Sequence, residues 1–370
     1  IIGIFFPQLF VSQTLLFWAI VAGLALVFAA RWVFVGAVDA AKMKRRVLIY
    51  GAGLQAKALL DSYHLESNAL GVEIFGCVLG KNETIAVNPD LVKTEPSDWG
   101  WFIKDNDISE VVIAPDERRS SMGGSFPVEE LLDCKLSGVR ITDVLGFYER
   151  EMNKIELSQL HPGWMLFSDG FRYSKLRDII KRAFDLSISL LLLVILWPFM
   201  LLTAALVFLE SGRPMLYRQM RVGLHGKEFP IYKFRSMRQD AEKGGKAVWA
   251  TQNDSRVTKV GAFIRNTRLD ELPQLYNVIM GHMSFIGPRP ERPEFVSELT
   301  HKIPYYQIRH RVKPGLMGWA QLKYPYGASV EDAENKLRYD LYYTKNHSFL
   351  MDVLILIQTV EVVLLGKGVH

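Results

Sequence analysis

Two long apolar runs interrupt a chain whose remaining hydrophobic positions recur at the short periods of strands and helices. Residues 14–38, TLLFWAIVAGLALVFAARWVFVGAV, hold one charge, Arg31, and are followed by Lys42, Lys44, Arg45 and Arg46. That length suffices to cross a hydrocarbon core of roughly 30 Å, and positive residues collect on the cytoplasmic side. The run predicts a transmembrane helix with residue 46 onward in the cytoplasm. A signal peptide is shorter and ends in small residues, a pattern missing here. The chain opens on Ile1 in apolar sequence, with Pro7 close behind. Residues 1–42 are therefore expected to be a membrane region lacking its beginning.

The second run, Leu186–Leu209, carries Trp197-Pro198 at its middle. Lys175, Arg177, Lys181 and Arg182 precede it, and Arg213, Arg218 and Arg221 follow. Cations at both ends favour one side of the membrane for both, and Pro198 removes a helix hydrogen bond. The expectation is a re-entrant helix over about residues 183–210, with Pro198 at its break, although length alone would fit a straight span.

Between the runs, the pattern alternates between strands and helices. Arg46-Val47-Leu48-Ile49-Tyr50 reads as a strand, Gly51-Ala52-Gly53-Leu54-Gln55-Ala56 as a glycine turn opening a helix, and VEIFGCVLG and SEVVIAP as further strands. A Rossmann-like doubly wound domain over residues 43–150 follows. The helix start after Gly53 suits a phosphate, but the strand at 72–79 ends in Gly80-Lys81 without an acid for a ribose. A tight turn needs the same glycines, and dinucleotide binding is the weaker reading. Residues 151–174, with His161-Pro162-Gly163-Trp164, read as a connector meeting the membrane surface, and His161 as a packed or surface histidine. Residues 348–365 predict a helix on the domain core, with membrane docking as its second use.

Composition agrees with a membrane protein carrying water-facing domains: 49% of residues are hydrophobic and 22% charged, at a mean hydropathy of +0.09. Cys77 and Cys134 are far apart and lack metal-type spacing, which sets aside a disulfide framework and a zinc site. The net charge of +5 is modest, and no basic stripe alternates with aromatics, so nucleic acid is not an expected partner.

The segment Arg265–Glu294, RNTRLDELPQLYNVIMGHMSFIGPRPERPE, sets the adjacent acids Asp270 and Glu271 among Arg265, Arg268, Arg289 and Arg292. Acids beside guanidinium groups suit phosphoryl transfer, where one carboxylate attacks phosphorus, another holds a divalent metal, and guanidinium forks take the charge of the moving oxygens. Lys233 and Arg235 alternate onto one face of a strand-like run, as an anionic ligand requires; solvated charges are the plainer alternative. Asp254 and Arg256 read either as a local pair or as part of a nucleotide site. Asp185 at the start of the apolar run reads equally as a helix-end salt bridge with Lys181 or Arg182, or as a substrate contact. Arg309, Arg311 and Lys313, with Pro314-Gly315 and Gly318-Trp319-Ala320-Gln321, read as a mobile glycine-rich clamp for a diphosphate.

With KRAFD at 181–185, YRQMRVG at 217–223, KFRSM at 233–237, DSRVTKVGAFIR at 254–265 and KPGLMGWAQL at 313–322, the chain from about Lys175 onward resembles the bacterial sugar transferases called monotopic phosphoglycosyl transferases, in their long form. The resemblance implies an α/β membrane protein with a catalytic domain at 175–370. It implies transfer of a sugar 1-phosphate, a hexose favoured, from a UDP-sugar to polyprenyl phosphate at the cytoplasmic membrane, releasing UMP in the first membrane step of exopolysaccharide, capsule or O-antigen assembly. Asp270 would be the nucleophile that forms a covalent phosphosugar intermediate. Glu271, beside it, would belong to a Mg2+ site. Lys233, Arg235, Arg256, Arg265, Arg268, Arg289, Arg311, Lys313 and Gln321 would contact the donor, and Lys181, Arg182, Asp185 and Pro198 would lie at the lipid phosphate. The Rossmann-like domain would regulate or dimerise, making a homodimer plausible. Tyr339-Asp340 and Asp352 match family positions, although a helical salt bridge explains an isolated Asp equally well, whereas Lys323-Tyr324-Pro325-Tyr326-Gly327 departs from the usual Asn-Gly-Arg. A nucleotide-sugar dehydratase or epimerase lacks support without a ribose acid or a Tyr-x-x-x-Lys pair. A membrane sensor leaves the acid and arginine motifs unexplained.

Overall fold

The structure, a computed structural model, describes residues 44–66, 71–80, 83–116, 127–160, 162–171, 174–241, 254–325, 327 and 329–365, with positions 18, 22, 23 and 26. Apart from those four helical positions, the transmembrane helix expected over residues 14–38 lies outside the described residues, as does His161. The chain divides into two compact units, one ending at Val144 and the other beginning at Leu145.

In the first unit, short runs rich in β-branched residues form β1 (Arg45–Tyr50), β2 (Val72–Val78), β3 (Val92–Lys93), β4 (Ile108–Ile113) and β5 (Arg140–Asp143). They pair in parallel in the order β3-β2-β1-β4-β5. Helices α1 (Leu54–Glu66), α2 (Trp99–Asp105) and α3 (Val128–Leu136) make crossovers, giving a doubly wound sheet. Val47, Leu48, Ile49 and Tyr50 are fully buried, as expected of a parallel strand covered on both faces. Cys77 and Cys134 are buried free thiols.

The glycine turn after β1 serves the backbone. Gly51 has φ +124, and a Cβ there would lie 2.3 Å from the Ala114 carbonyl oxygen. The start of α1 is capped from within the unit: the Leu54 and Gln55 amides donate to the Asp116 carboxylate at 2.9 and 2.8 Å. Glu83 in turn accepts from the amides of Ala52, Gly80 and Asp116. Two carboxylates thus fill the seat that a dinucleotide phosphate takes in this fold.

Helix α4 (Val144–Met152) starts at the boundary, and from Leu145 the second unit leads through α5 (Pro162–Phe167) to the 37-residue helix α6 (Lys175–Ser211), long and apolar enough to span or enter a membrane. Pro198 lies inside α6 without ending it. The early part of α6, at Phe184, Ile188 and Leu192, packs on a core of Leu275, Phe285, Tyr343 and Ile355. Its late part, at Met200, Ala204 and Val207, joins Phe234 and Ile264. Between and around these contacts Val194, Trp197 and Leu201 are more than half exposed. The rest of the unit is an antiparallel hairpin, β6 (Leu216–Val222) and β7 (Glu228–Phe234), a short parallel pair, β8 (Ser284–Ile286) and β9 (Gly315–Met317), and the helices α7 (Lys259–Asn266), α8 (Gln274–Ile279), α9 (Pro293–Lys302), α10 (Trp319–Lys323), α11 (Val330–Asn346) and α12 (Phe349–Leu365).

Part of the expected connector is core. Ile155, Leu157 and Leu160 bury against Leu299, Tyr306, Leu337 and Leu341, because apolar residues at that spacing find a ready cluster. Helix α12 puts Asp352 and Ile355 on the core and leaves Leu350 and Ile357 outward, at 69% and 58% exposure. Leu354 and Val360 are exposed as well, so the outward face is mostly apolar, with Glu361 exposed near its end.

Candidate active site

Asp270 and Glu271 occupy one 3-10 turn, Leu269–Glu271, between α7 and α8. Arg268 enters it in the left-handed region at φ 60, and Pro273 leads directly into α8. Leu269 and Leu272 pack on the cluster of Val207, Phe234 and Ile264, which fixes the turn against the late part of α6. Sequence and packing thereby present two adjacent carboxylates on a short, constrained loop.

The two acids differ in their partners. Glu271 Oε1 accepts from Lys233 Nζ at 2.9 Å and from Arg289 Nη2 at 2.6 Å. Asp270 is buried and accepts no hydrogen bond from a described residue. Burial, then the neighbouring Glu271 charge, push the Asp270 carboxyl above the usual aspartate value, while Lys233, Arg289 and Arg265 pull against that rise. Burial also pushes Glu271 upward, but Arg289 and Lys233 overcome it and hold the carboxyl well below its usual range. One acid is a fixed anion; its neighbour is a basic, unpartnered carboxylate.

Buried polar side chains hold these groups in place. Asn277 donates to the Pro230 carbonyl at 2.7 Å and accepts from the Tyr232 amide at 3.2 Å, which ties α8 to the strand carrying Lys233. Arg309 donates from Nε and Nη2 to Asp340, from Nη1 to Tyr306 and from Nη2 to the Arg289 carbonyl. Arg221 donates to the Pro290 carbonyl at 3.1 Å. The glycines beside Arg289 are pressed together: a Cβ on Gly315 would lie 2.1 Å from the Gly287 nitrogen, and one on Gly318 would lie 2.5 Å from the Gly287 oxygen. The expected mobile clamp at Pro314–Gly318 is instead a close backbone crossing, with β9 paired to β8, because glycine is what lets two chains approach so near.

Other expected site residues are placed elsewhere. Arg235 donates to the Ser211 and Gly212 carbonyls at the end of α6. Arg182 donates to the Val278 and Ile279 carbonyls at the end of α8. Lys181 pairs with Asp352 at 2.6 Å. Asp185, for which a salt bridge or a substrate contact was expected, accepts from the Ser284 hydroxyl and the Phe285 amide. It joins α6 to β8, and Lys181 is drawn to a different acid. Arg256 pairs with Asp254, and that hydrogen bond chiefly holds the Asp254 carboxyl down to about 2. Arg268 and Gln321 are exposed. Arg311 and Lys313 line a separate cavity. The sequence reading missed Asn277, whose one signal was an amide set between Leu275 and Val278 on a short buried helix. It took Arg309 as an edge cation and left Asp340 either a local ion pair or a family position.

A family described as "Bacterial sugar transferase" matches residues 176–366, more than half of the chain. The chain belongs to the bacterial sugar transferase family. Like this sugar transferase is the UDP-N-acetylgalactosamine-undecaprenyl-phosphate N-acetylgalactosaminephosphotransferase of Aeromonas hydrophila, 38% identical over 256 residues that cover 69% of this chain and 59% of that protein. The UDP-glucose:undecaprenyl-phosphate glucose-1-phosphate transferase of Klebsiella pneumoniae is 32% identical over 329 residues, 88% of this chain and 69% of that one. A putative undecaprenyl-phosphate N-acetylgalactosaminyl 1-phosphate transferase of Bacillus subtilis is 52% identical over 130 residues, 35% of this chain and 72% of that one. The matched regions thus span 59%, 69% and 72% of these curated relatives.

Proposed function

We propose that this sugar transferase moves a sugar 1-phosphate from a UDP-sugar to a polyprenyl phosphate of the undecaprenyl type, releases UMP, and starts assembly of a surface glycan. The observation that carries the reading is Asp270: a buried carboxylate without a described partner, beside a Glu271 already engaged by Lys233 and Arg289. The names of the Aeromonas and Klebsiella relatives supply the UDP-sugar and undecaprenyl phosphate.

In the first half-reaction an Asp270 oxygen bonds to the sugar-bearing phosphorus while the bond from that phosphorus to the UMP oxygen breaks. UMP leaves with that electron pair. A polyprenyl phosphate oxygen then attacks the same phosphorus, the bond to Asp270 breaks, and the carboxylate is restored as polyprenyl diphosphosugar departs. Burial suits Asp270 to this task, since a poorly solvated carboxylate is the more basic nucleophile. Lys233 and Arg289 stand beside the dyad to take charge from phosphate oxygens, and Glu271 fixes both cations.

Magnesium is the expected cofactor. The Asp270 oxygens and Glu271 Oε2 have no described hydrogen-bond donor, and a divalent ion that keeps most of its water and leans on substrate phosphates needs only one or two carboxylates. The dyad fits such an ion, which when bound would neutralise the diphosphate.

The contacts of α6 support a re-entrant membrane helix on the cytoplasmic face. Both its early and late parts pack on the same unit, and its middle carries exposed apolar side chains. The donor sugar is taken as a hexose, as in the UDP-glucose of the Klebsiella relative's name, whereas the Aeromonas relative's name gives an N-acetylated sugar. The test is UMP release by nanodisc-held protein given Mg2+, polyprenyl phosphate and a panel of UDP-sugars. Release confined to one donor and lost in Asp270→Asn is expected; full release by that variant would overturn the assignment.

A further inference from the structure

The last turn of α6 is joined to both chain segments that hold the dyad. Arg235, which follows β7, is 7% exposed, and its Nη2 donates to the Ser211 carbonyl at 2.6 Å, the Ser211 hydroxyl at 2.9 Å and the Gly212 carbonyl at 2.8 Å. Its Nε and Nη1 are buried and find no partner among the described residues. A guanidinium taken from water without an acid beside it is costly. What offsets the cost here is the negative end of a long helix, whose last carbonyls have no partner within the helix. Glu210, in the same turn, accepts from the Val260 amide at 3.1 Å and so caps the start of α7.

Each contact continues to the dyad. Of three consecutive residues, Lys233 donates to Glu271, Phe234 packs with Val207 of α6 and with Leu269 and Leu272 around the two acids, and Arg235 grips the end of α6. Helix α7, which Glu210 caps, places Ile264 in the same cluster and leads to the turn of Asp270. The Thr258 amide before α7 donates to the Ser236 carbonyl at 3.1 Å, which closes the connection on the strand side. A cation needed only to cap a helix serves from the surface, where its charge stays hydrated. Arg235 is instead buried two residues from Lys233, so the bonds that close α6 also fix the strand end presenting the dyad's ammonium.

We propose that the last turn of α6 positions the dyad: Arg235 ties it to the strand bearing Lys233, Glu210 ties it to the helix entering the Asp270 turn, and the seating of the apolar helix and the geometry of the acids are set together. Arg235 and Glu210 are positioning residues and touch no substrate. Their effect on turnover rests on the transfer reading above, whereas the mechanical link does not.

The test uses the full chain in phosphatidylcholine nanodiscs, with hydrogen exchange read by mass spectrometry and UMP release measured in parallel. In Arg235→Gln, amides of the turn Leu269–Glu271 and of the end of α6 should exchange about tenfold faster, while those of β1 in the first unit keep their wild-type rates. The same variant should lose about tenfold or more in kcat, since a catalytic group displaced by about 1 Å can cost roughly 10²-fold, with the KM for the donor within about twofold of wild type. Unchanged exchange in the dyad turn overturns the proposal, as does faster exchange with unchanged kcat. A KM that rises at constant kcat also overturns it, by making Arg235 a donor contact. Should Arg235→Gln fail to fold, Glu210→Ala, at an exposed position, carries the same test, with faster exchange expected in α7 and the dyad turn. Wild-type protein that releases no UMP from any donor would sink the transfer reading, and the exchange comparison would still decide the link.

Discussion

At the residue scale, the difference between Asp270 and Glu271 predicts opposite effects of neighbouring substitutions. Asp270→Asn removes a charge that has no described partner, so the melting temperature should hold or rise while turnover falls by about 10³-fold or more. Glu271→Gln leaves Lys233 and Arg289 facing each other without their shared anion, and should cost about 2 kcal/mol of stability as well as activity. Equal thermal shifts in the two variants would contradict the asymmetry. It also sets the response to acid. Asp270 binds its proton at a pH above the usual aspartate value of 3.8, so the nucleophile is lost first as pH falls. Glu271 is depressed below 4.5, so the stability it contributes is fully present above that value and is lost only as pH falls through its lower folded value. A pH profile of kcat/KM taken with circular dichroism should show activity failing before the fold. The acid pair and Arg289 were legible in the sequence because unlike charges crowd one short segment. What each charge touches was not: Arg235 and Arg182 carry the same charge as Arg289, yet they close helix ends.

At the element scale, the doubly wound order was readable from alternating apolar runs and a glycine turn, since periods of two and 3.6 are local properties of the chain. The use of that turn was not readable, because Glu83 lies 31 residues from the Ala52 amide and Asp116 62 residues from the Leu54 amide that they accept from. Asp116→Ala should free the Leu54 and Gln55 amides and destabilise the first unit by about 1–2 kcal/mol, the usual worth of a helix cap. Wild type should show no NAD binding by calorimetry, and a measurable affinity would mean that the two carboxylates yield the seat. Asn277 makes a comparable long-range connection in the second unit. Asn277→Ala strands a carbonyl and an amide of β7, and should lower stability by about 2 kcal/mol and kcat more than substrate affinity, since Lys233 loses its registration.

At the scale of the whole molecule, α6 decides how chemistry meets the bilayer. A straight 37-residue helix is about 55 Å long, more than a hydrocarbon core requires, so length alone permits a full span with both ends in water. Against this, Phe184 and Ile188 near its start and Met200 and Val207 near its end pack on one compact unit, whose polar groups also bond to both ends of the helix. Contacts of both halves with one unit are what the proposed re-entrant helix would make. The exposed apolar residues of α12, Leu350 and Ile357, and of α5, Leu166 and Phe167, add surface suited to the same leaflet. The sequence supplied the cations at both ends and Pro198, but only folding shows which contacts each half of the helix makes. Ser174→Cys and Arg213→Cys, placed singly in a Cys77→Ala, Cys134→Ala background, flank α6 and can be labelled in inverted membrane vesicles with an impermeant maleimide. Re-entry predicts that both sites react from the cytoplasmic side and resist labelling from the other. Reaction of one site from each side would make α6 a transmembrane helix and remove the dyad from the level of the lipid phosphate.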